Sequence, residues 1–183
     1  MSAKASVFIA TSLDGFIARA DGSIDWLDAA NTLVPSGEDC GYSAFMETVD
    51  VLVMGKNTFA TVSSFGAWPY ADKKVVVLSS KPLQVPVELS GKVSTSAESP
   101  AVLLERLSAA GAKRLYVDGG MTIQRFLAAG LIDDITITLI PVLLGHGRPL
   151  FGPMKNDVPL VHVATKTFEF GFVQLQYRVA RHT

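Results

Sequence analysis

The chain has 183 residues, of which 49% are apolar and 18% charged, so it is predicted to form a single packed domain over residues 1–183. The net charge of −1 argues against a nucleic-acid partner, and no apolar run approaches the roughly 20 residues that cross a membrane. We therefore expect a cytoplasmic protein with a small-molecule partner. Cys40 has acidic neighbours that are predicted to raise its thiol pKa, and the scattered histidines predict no metal site.

Short β-branched runs alternate with helical patterns over the first 130 residues. Strands are predicted at residues 5–11, 49–55, 74–80 and 114–120, and helices at 42–48, 99–112 and 121–130. Ser99 and Pro100 match the preferred cap and first position of the second helix. This alternation is typical of βαβ units, and it predicts a mostly parallel sheet.

The C-terminal quarter has a different pattern. One long strand is predicted at 133–145, and two more within 158–180 that meet near Gly171. The complete prediction is a three-layer α/β fold, in which helices cover both faces of a mostly parallel sheet and a C-terminal antiparallel hairpin lies at one edge.

Polar corners follow three of the predicted strands. They contain Gly55, Lys56, Asn57 and Thr58; Ser79, Ser80 and Lys81; and Asp118, Gly119, Gly120, Met121 and Thr122. Ligands of open α/β sheets bind outside the carboxyl ends of strands, where glycines and helix N-termini present N–H groups to anions. Any one corner is also consistent with a simple turn, but the three together favour a ligand with several phosphates.

These motifs, in this order, resemble a known fold. The segments IATSLDGFIA (9–18), VLVMGKNTF (51–59), VVVLSS (75–80), LYVDGGMTIQRFL (115–127) and DDITITLIPVLLGHGRPLF (133–151) are similar to those of dihydrofolate-reductase-like proteins. The resemblance covers roughly residues 5–180. It is closer to the C-terminal reductase domain of the bifunctional riboflavin-biosynthesis deaminase/reductase and its stand-alone relatives. It implies an NADPH-dependent reductase that transfers a hydride to a small heterocyclic or carbonyl/imine substrate and is similar to the 5-amino-6-(5-phosphoribosylamino)uracil reductase of riboflavin biosynthesis.

The resemblance also implies roles for the three corners. The corner at 55–58 would hold the cofactor phosphates, with Lys56 near the 2′-phosphate, and the corner at 79–81 would flank the adenosine. Gly119 and Gly120, which the family often joins by a cis peptide, would approach the pyrophosphate beside Met121 and Thr122. Ala10 and Ile17 would border the nicotinamide, under a mobile loop at 12–27. Charge independently favours NADPH, because a bare ribose usually meets an acidic residue rather than a lysine.

The proton donor and the substrate contacts are less defined. Asp14 and Asp25 are the candidate catalytic acids, although Asp14 also suits a turn and Asp25 the cap of a short helix at 26–30. Dihydrofolate reductases carry a pterin-binding carboxylate a few residues past a tryptophan. Here that position falls around Asn31, with Asp28 nearby. Arg19 and Arg148 are possible partners for a substrate phosphate.

Three alternatives to this reductase remain open: a dihydrofolate or pterin reductase, a non-catalytic NADPH-binding module, and a dimerising domain whose glycine corners are only turns. The apolar stretch ITITLIPVLL (135–144) has more hydrophobic surface than one helix layer readily covers. It predicts a homodimer through this far region of the sheet.

Overall fold

The computed structural model describes residues 2–180. The strands are β1 (Lys4–Ser12), β2 (Phe16–Ala18), β3 (Val51–Gly55), β4 (Lys74–Leu78), β5 (Val93–Ser96), β6 (Arg114–Asp118), β7 (Asp134–Ile140), β8 (Arg148–Pro149), β9 (Leu160–Thr167) and β10 (Val173–Val179). The helices are α1 (Asp25–Asn31), α2 (Tyr42–Glu47), α3 (Lys56–Ser63), α4 (Pro100–Ala109) and α5 (Gly120–Ala128), with a 3₁₀ turn at Val87–Leu89.

The main sheet has eight strands in the order β5-β4-β3-β6-β1-β7-β10-β9. The first six are parallel, and β10 and β9 form an antiparallel hairpin beside β7. This architecture confirms the predicted fold class. A second, two-stranded ribbon of β2 and β8 lies beside it.

Helices cover both faces of the parallel part of the sheet, where the strands direct buried apolar side chains to each face in turn. On one face, Val7 and Leu115 pack with Leu103 of α4 and Phe126 of α5. On the other face, the apolar residues of β3, β4 and β6 pack against α2 and α3. A third cluster joins Trp26 of α1 to the β7 end and to the turn between β9 and β10.

The observed boundaries differ from the predictions at several points. The strand predicted at 133–145 ends at Ile140 because Pro141 cannot donate to the ladder. Ser99 caps α4 as predicted, accepting a hydrogen bond from the N–H of Val102. The helix α3 and the strands β2, β5 and β8 were not predicted.

The strands β1 and β6 diverge towards their carboxyl ends. They pair only from Lys4↔Arg114 to Ser6↔Tyr116, whereas β1 continues along β7 as far as Ser12. Beyond the last pair, the hydroxyl of Tyr116 donates to the carbonyl oxygen of Phe8 at 2.8 Å, in place of a backbone partner. A crevice therefore opens between β1 and β6 at the edge where parallel sheets bind ligands.

Candidate active site

The three polar corners lie side by side. They follow β4, β3 and β6, which are neighbours in the sheet and parallel, so all three corners meet at one edge. The topology therefore brings the three corners together at the edge where parallel sheets bind ligands.

Two of the corners are in direct contact through reciprocal glycine–threonine pairs. A Cβ added to Gly119, the residue before α5, would collide with the hydroxyl of Thr58 in α3. A Cβ on Gly55, the residue before α3, would lie 3.1 Å from the hydroxyl of Thr122 in α5. Thr58 and Thr122 thus have a packing role, holding two helix N-termini together.

Neither helix N-terminus has a side-chain cap. The residue before each helix is a glycine, which has no side chain to accept a first-turn N–H, so α3 and α5 lack the usual side-chain cap. Lys56, Asn57 and Lys81 are exposed beside them. Neither lysine forms an ion pair with another residue of the described range 2–180. Free N–H donors and two unpaired cations suit a ligand with several phosphates.

The remaining corner residues have distinct environments. Ser79 closes its own turn: its hydroxyl donates to the carbonyl of Lys81 at 2.7 Å and accepts from that residue's N–H at 3.2 Å. Ser80 is exposed, and so is Met121, with 64% of its surface accessible. Gly119 and Gly120 are joined by a trans peptide, since no cis peptide bond occurs within residues 2–180; the cis bond implied by the resemblance is absent.

The β2–β8 ribbon covers the start of α5. A Cβ on Gly120 would lie 3.0 Å from the carbonyl oxygen of Pro149 and 3.1 Å from Cδ1 of Ile17. The side-chain amide of Gln124 donates to the carbonyls of Pro149 and Leu150 at 3.3 and 3.2 Å. Ile17 therefore lies beside the glycine pair, next to the crevice where the resemblance places the nicotinamide.

The predicted loop at 12–27 is partly regular structure. It contains β2 and the first residues of α1, so its irregular portion is narrower than predicted. The N–H of Leu13 donates to Val142, and the N–H of Leu150 donates to Gly15, at 2.9 and 3.0 Å. The guanidinium of Arg148 lies against Gly22 in the irregular portion.

Asp14 connects this segment to the loop after β7. Its carboxylate accepts hydrogen bonds from the hydroxyl of Ser12 at 2.6 Å and from the N–H groups of Leu144 and Gly145 at 3.1 and 2.7 Å. These donors lower the pKa of Asp14, so it is ionised at neutral pH and lacks a proton to donate. Its contacts give it a positioning role, while a direct catalytic role stays a prediction.

Asp25 begins α1 and pairs with Arg19. The Nε of Arg19 lies 2.5 Å from the Oδ1 of Asp25, and this hydrogen bond lowers the pKa of the carboxyl. Ile24, not Asp25, occupies the cap position of the helix. The pair closes the exposed loop before α1, and a catalytic role for Asp25 stays a prediction.

A cavity of about 450 Å³ adjoins the crevice. It lies between β1, β7, α1 and the segment at 34–40, and Ala10, Asn31 and Thr138 are among its lining residues. Asn31 occupies the place expected for a pterin carboxylate, and Asp28 is not part of the lining. The cavity acids Glu38 and Asp39 already accept backbone N–H groups of residues 40, 41 and 43. Ala10 of β1 lines this cavity, and its place beside a nicotinamide stays a prediction.

Cys40 also lines this cavity. Burial and the charge of Glu38 raise the pKa of its thiol, in the direction that its acidic neighbours predict. It is therefore unsuited to act as a thiolate nucleophile. Within residues 2–180 there is no group of three or more metal-ligating side chains, and no helix there has the length and apolarity to cross a membrane.

Asp118 was predicted as part of the third corner but not as a candidate acid. It ends β6 beside the crevice, where its Oδ1 accepts the N–H of Gly119 at 2.8 Å. Its side chain is only partly exposed, and loss of hydration raises the pKa of this carboxyl to about 6. The sequence carries a signal for this acid, since Asp118 directly precedes the glycine pair, but its raised pKa depends on burial that only the folded chain provides.

The architecture and this edge define a dihydrofolate-reductase-like α/β protein. The dihydrofolate reductase of Enterococcus faecalis, in a complex with NADP(H), superposes with a TM-score of 0.65 at 18% identity over 97% of each chain. A more specific match is the family model of the RibD C-terminal domain, which covers residues 3–173. The chain belongs to the RibD C-terminal domain family.

Two relatives of similar length and one longer protein are similar to this chain. A structure from Shewanella sp. PV-4, provisionally assigned to riboflavin biosynthesis, has a TM-score of 0.91 and 41% identity, over 99% of this chain and all of the other. The uncharacterised protein YwjB of Bacillus subtilis is 37% identical over 97% of this chain and 98% of its own. The bifunctional deaminase and 5-amino-6-(5-phosphoribosylamino)uracil reductase of Thermotoga maritima shares the fold, with a TM-score of 0.71 and 16% identity, over 98% of this chain and 57% of that one.

Proposed function

We propose that this protein is an NADPH-dependent reductase that acts on a small heterocyclic, carbonyl or imine substrate. The observation that carries the proposal is the edge at β4, β3 and β6, where two uncapped helix N-termini and two unpaired lysines meet beside the β1–β6 crevice. These groups fit a dinucleotide with an additional phosphate. Membership of a reductase-like family supports the same reading.

The roles follow from position along this edge. Lys56 and Lys81 bind phosphate, and the first-turn N–H groups of α3 and α5 bind the pyrophosphate. Ile17 and Ala10 border the nicotinamide and keep water from its reactive face. When bound, the reduced nicotinamide supplies a hydride to a carbon of the substrate. Asp14 holds the turn before β2 against the loop at 144–145, which positions Ile17 over Gly120.

The 450 Å³ cavity is the proposed substrate site. Its volume suits a bicyclic or pyrimidine-sized molecule. Asn31 offers both a donor and an acceptor, whereas a pterin-binding pocket needs a carboxylate at that place. This difference favours a substrate similar to 5-amino-6-(5-phosphoribosylamino)uracil over dihydrofolate. Arg148, which packs on the loop above the crevice, is the proposed partner for a substrate phosphate.

Thermal unfolding with NADPH and with NADH tests the cofactor proposal. A ligand at about 100 times its dissociation constant stabilises the native state by roughly 2.7 kcal/mol, which raises the midpoint by about 5–10 °C for a domain of this size. We expect that shift with NADPH and little with NADH. No shift with either cofactor would mean that the corners are only turns, as in the dimerising-domain alternative.

Turnover separates the two remaining alternatives. A non-catalytic module would bind NADPH but would not oxidise it in the presence of any heterocyclic substrate. A dihydrofolate reductase would oxidise NADPH with dihydrofolate and bind antifolates tightly. We expect oxidation with 5-amino-6-(5-phosphoribosylamino)uracil and none with dihydrofolate.

A further inference from the structure

A groove of about 930 Å³ adjoins the 450 Å³ cavity. Phe8 of β1 and Cys40 line both spaces, so the groove and the cavity meet at these two residues. The groove continues over β7 and β10 and is bordered by α2. The edge of a ligand in the cavity can therefore contact the groove residues that lie nearest to Phe8 and Cys40.

Gln174 of β10 lies at this junction. It is paired with Thr138 in the β7–β10 ladder, which brings the two side chains together on one face of the sheet. The side-chain nitrogen of Gln174 donates to the carbonyl oxygen of Cys40 at 2.9 Å and to the hydroxyl oxygen of Thr138 at 3.0 Å. Thr138 lines the cavity and Gln174 lines the groove, so their hydrogen bond joins the two spaces.

These two bonds fix the orientation of the Gln174 amide. A backbone carbonyl only accepts hydrogen bonds, so the amide nitrogen must face Cys40, and both of its hydrogens are then used. The oxygen Oε1 has no hydrogen-bond partner in the described range 2–180. It is also not enclosed, because the enclosed unpaired side-chain atoms of this range are the indole nitrogens of Trp26 and Trp68. Oε1 is therefore an acceptor that is open to a ligand.

The hydroxyl group of Thr138 complements this acceptor. Its oxygen accepts from Gln174, and its hydrogen makes no bond to another residue of the described part of the chain. Gln174 and Thr138 are only 4% and 5% exposed, so a ligand that pairs with them meets little competition from water. One free acceptor beside one free donor matches a ligand edge that carries an N–H next to a carbonyl oxygen.

We propose that Gln174 is a specificity-determining residue that binds the N–H of a cyclic amide substrate. The inference rests on the proposed reductase function and defines the substrate class of the same site. The substrate N–H donates to Oε1 of Gln174, and the adjacent ring carbonyl accepts from the hydroxyl of Thr138. Pyrimidinediones and other lactams have this edge. A lactone of the same shape has a ring oxygen in place of the N–H, and it leaves Oε1 facing a second acceptor.

Two ring compounds that differ at one ring position test this contact without turnover. Carbostyril is a bicyclic lactam, and coumarin is the lactone in which an oxygen replaces its N–H. Their dissociation constants are measured by NMR titration of the protein, with and without NADP⁺. The wild type should bind carbostyril about 10–100-fold more tightly than coumarin, because coumarin leaves a buried acceptor unpaired. Equal affinities, or no binding of either compound at millimolar concentrations, would overturn the inference.

Variants of Gln174 separate its oxygen from the packing of its side chain. Gln174→Met and Gln174→Glu both lose the N–H bonds to Cys40 and Thr138, but only glutamate keeps an acceptor oxygen. Gln174→Met should reduce the preference for the lactam to less than about threefold, whereas Gln174→Glu should retain most of it. Gln84→Met, the same change at an exposed glutamine after β4, should leave the preference unchanged. A wild-type preference in folded Gln174→Met, or its loss in folded Gln174→Glu, would overturn the contact with Oε1.

The hydroxyl of Thr138 is tested with the same two compounds. Both carry the ring carbonyl, so Thr138→Val should weaken the binding of each about tenfold, and Thr138→Ser should restore it. Unchanged affinities in Thr138→Val would overturn the pairing of this hydroxyl with the ring.

The outcomes separate this inference from the proposed function. In NADPH oxidation with 5-amino-6-(5-phosphoribosylamino)uracil, Gln174→Met should raise KM about 10–100-fold and change kcat by less than about threefold. If the wild type is active and Gln174→Met keeps its KM, the role of Gln174 alone is overturned. If the wild type neither binds nor oxidises NADPH, the reductase function falls, and the lactam preference measured without cofactor still tests Gln174.

Discussion

Lys56 is the residue at which preference for NADPH over NADH can be tested most directly. It is exposed at the first position of α3 and has no carboxylate partner within residues 2–180. A hydrogen bond to a charged group contributes about 1.5–3 kcal/mol, so Lys56→Gln should weaken NADPH binding roughly 10–100-fold. NADH binding should change by less than about threefold.

Lys74 provides the control for this comparison. It is equally exposed but lies at the amino end of β4, the opposite edge of the sheet. Lys74→Gln should bind both cofactors as the wild type does by fluorescence titration. Equal losses for NADPH and NADH in Lys56→Gln would contradict contact with the 2′-phosphate.

Asp118 also gives a residue-scale prediction about stability. Its folded pKa of about 6 lies above the ordinary value of 3.8, so the folded state favours the protonated form. The free energy of unfolding therefore falls as pH rises from about 4 to about 6, and the deficit persists above that range. Asp118→Asn removes the charge and should melt a few °C above the wild type at pH 7.5. The difference should vanish near pH 4.

The same thermal-unfolding measurements include a control variant. Asp157→Asn should show no pH-dependent difference, since Asp157 is exposed. A lower midpoint for Asp118→Asn at pH 7.5 would mean that the carboxylate makes a stabilising contact in the folded protein.

Residue-scale prediction was most effective where the signal is local. Glycines and lysines after buried strands predicted the three corners, and the carboxyl ends of these parallel strands meet at one edge. Phosphate binding at that edge stays a prediction. The packing role of Thr58 could not be predicted, since it depends on the approach of a helix that begins more than 60 residues later at Gly120. The raised pKa of Asp118 could not be predicted either, because it depends on how deeply the folded chain buries this carboxyl.

The contact between α3 and α5 can be tested with paired variants. Gly119 has a φ of +88°, and a methyl group there would also strike Thr58. Gly119→Ala should cost about 1–3 kcal/mol for the backbone and more for the collision. Thr58→Ala removes the hydroxyl and should relieve part of the cost of the collision. The double variant should therefore lose less unfolding free energy than the two single variants lose in sum.

Gly111 isolates the backbone contribution. Its φ is +95°, but a Cβ there would have nothing within 4 Å. Gly111→Ala should show no coupling with Thr58→Ala in urea unfolding. Absence of coupling between Gly119 and Thr58 as well would mean that the two helix ends do not depend on this contact.

Element prediction was limited by polarity and length. The buried parallel strands were recognised because their apolar runs are unmistakable. The strand β5, with the sequence VSTS, has one apolar residue, and β2 has only three residues, so neither carries a periodic signal. The helix α3 follows β3 without an intervening residue, so its polar first turn has the composition of a loop after a strand and gives no separate signal for a helix start.

At the scale of the whole molecule, the homodimer stays a prediction. The predicted region includes β7, which lies inside the sheet between β1 and β10, so a contact there would use a face of the sheet and not an edge. An alternative contact is offered by the edge strand β9, whose Leu160, Val161 and Val163 are 43%, 42% and 59% accessible. A long edge strand with exposed aliphatic residues is a site for pairing with another chain. We therefore propose that two copies associate through β9.

Charge substitution on this strand tests the proposal. A lysine is costly to bury at an interface, so Val163→Lys should convert the dimer to a monomer in light scattering at micromolar concentrations. Val87→Lys is the control, since Val87 is 87% accessible and lies on the 3₁₀ turn far from β9 along the sheet order. A monomeric wild type across that range would end the proposal.

The position of β1 has a consequence for how the chain folds. This early strand lies near the centre of the sheet, but its two partners begin only at Arg114 and Asp134. Until those segments are made, β1 has no neighbour, and closing such long loops is entropically slow. More than half of the chain must therefore be synthesised before β1 can pair with β6 and β7. In the interval β3 can already pair with β4, and we predict that β1 stays unpaired and exposed until β6 and β7 have been made.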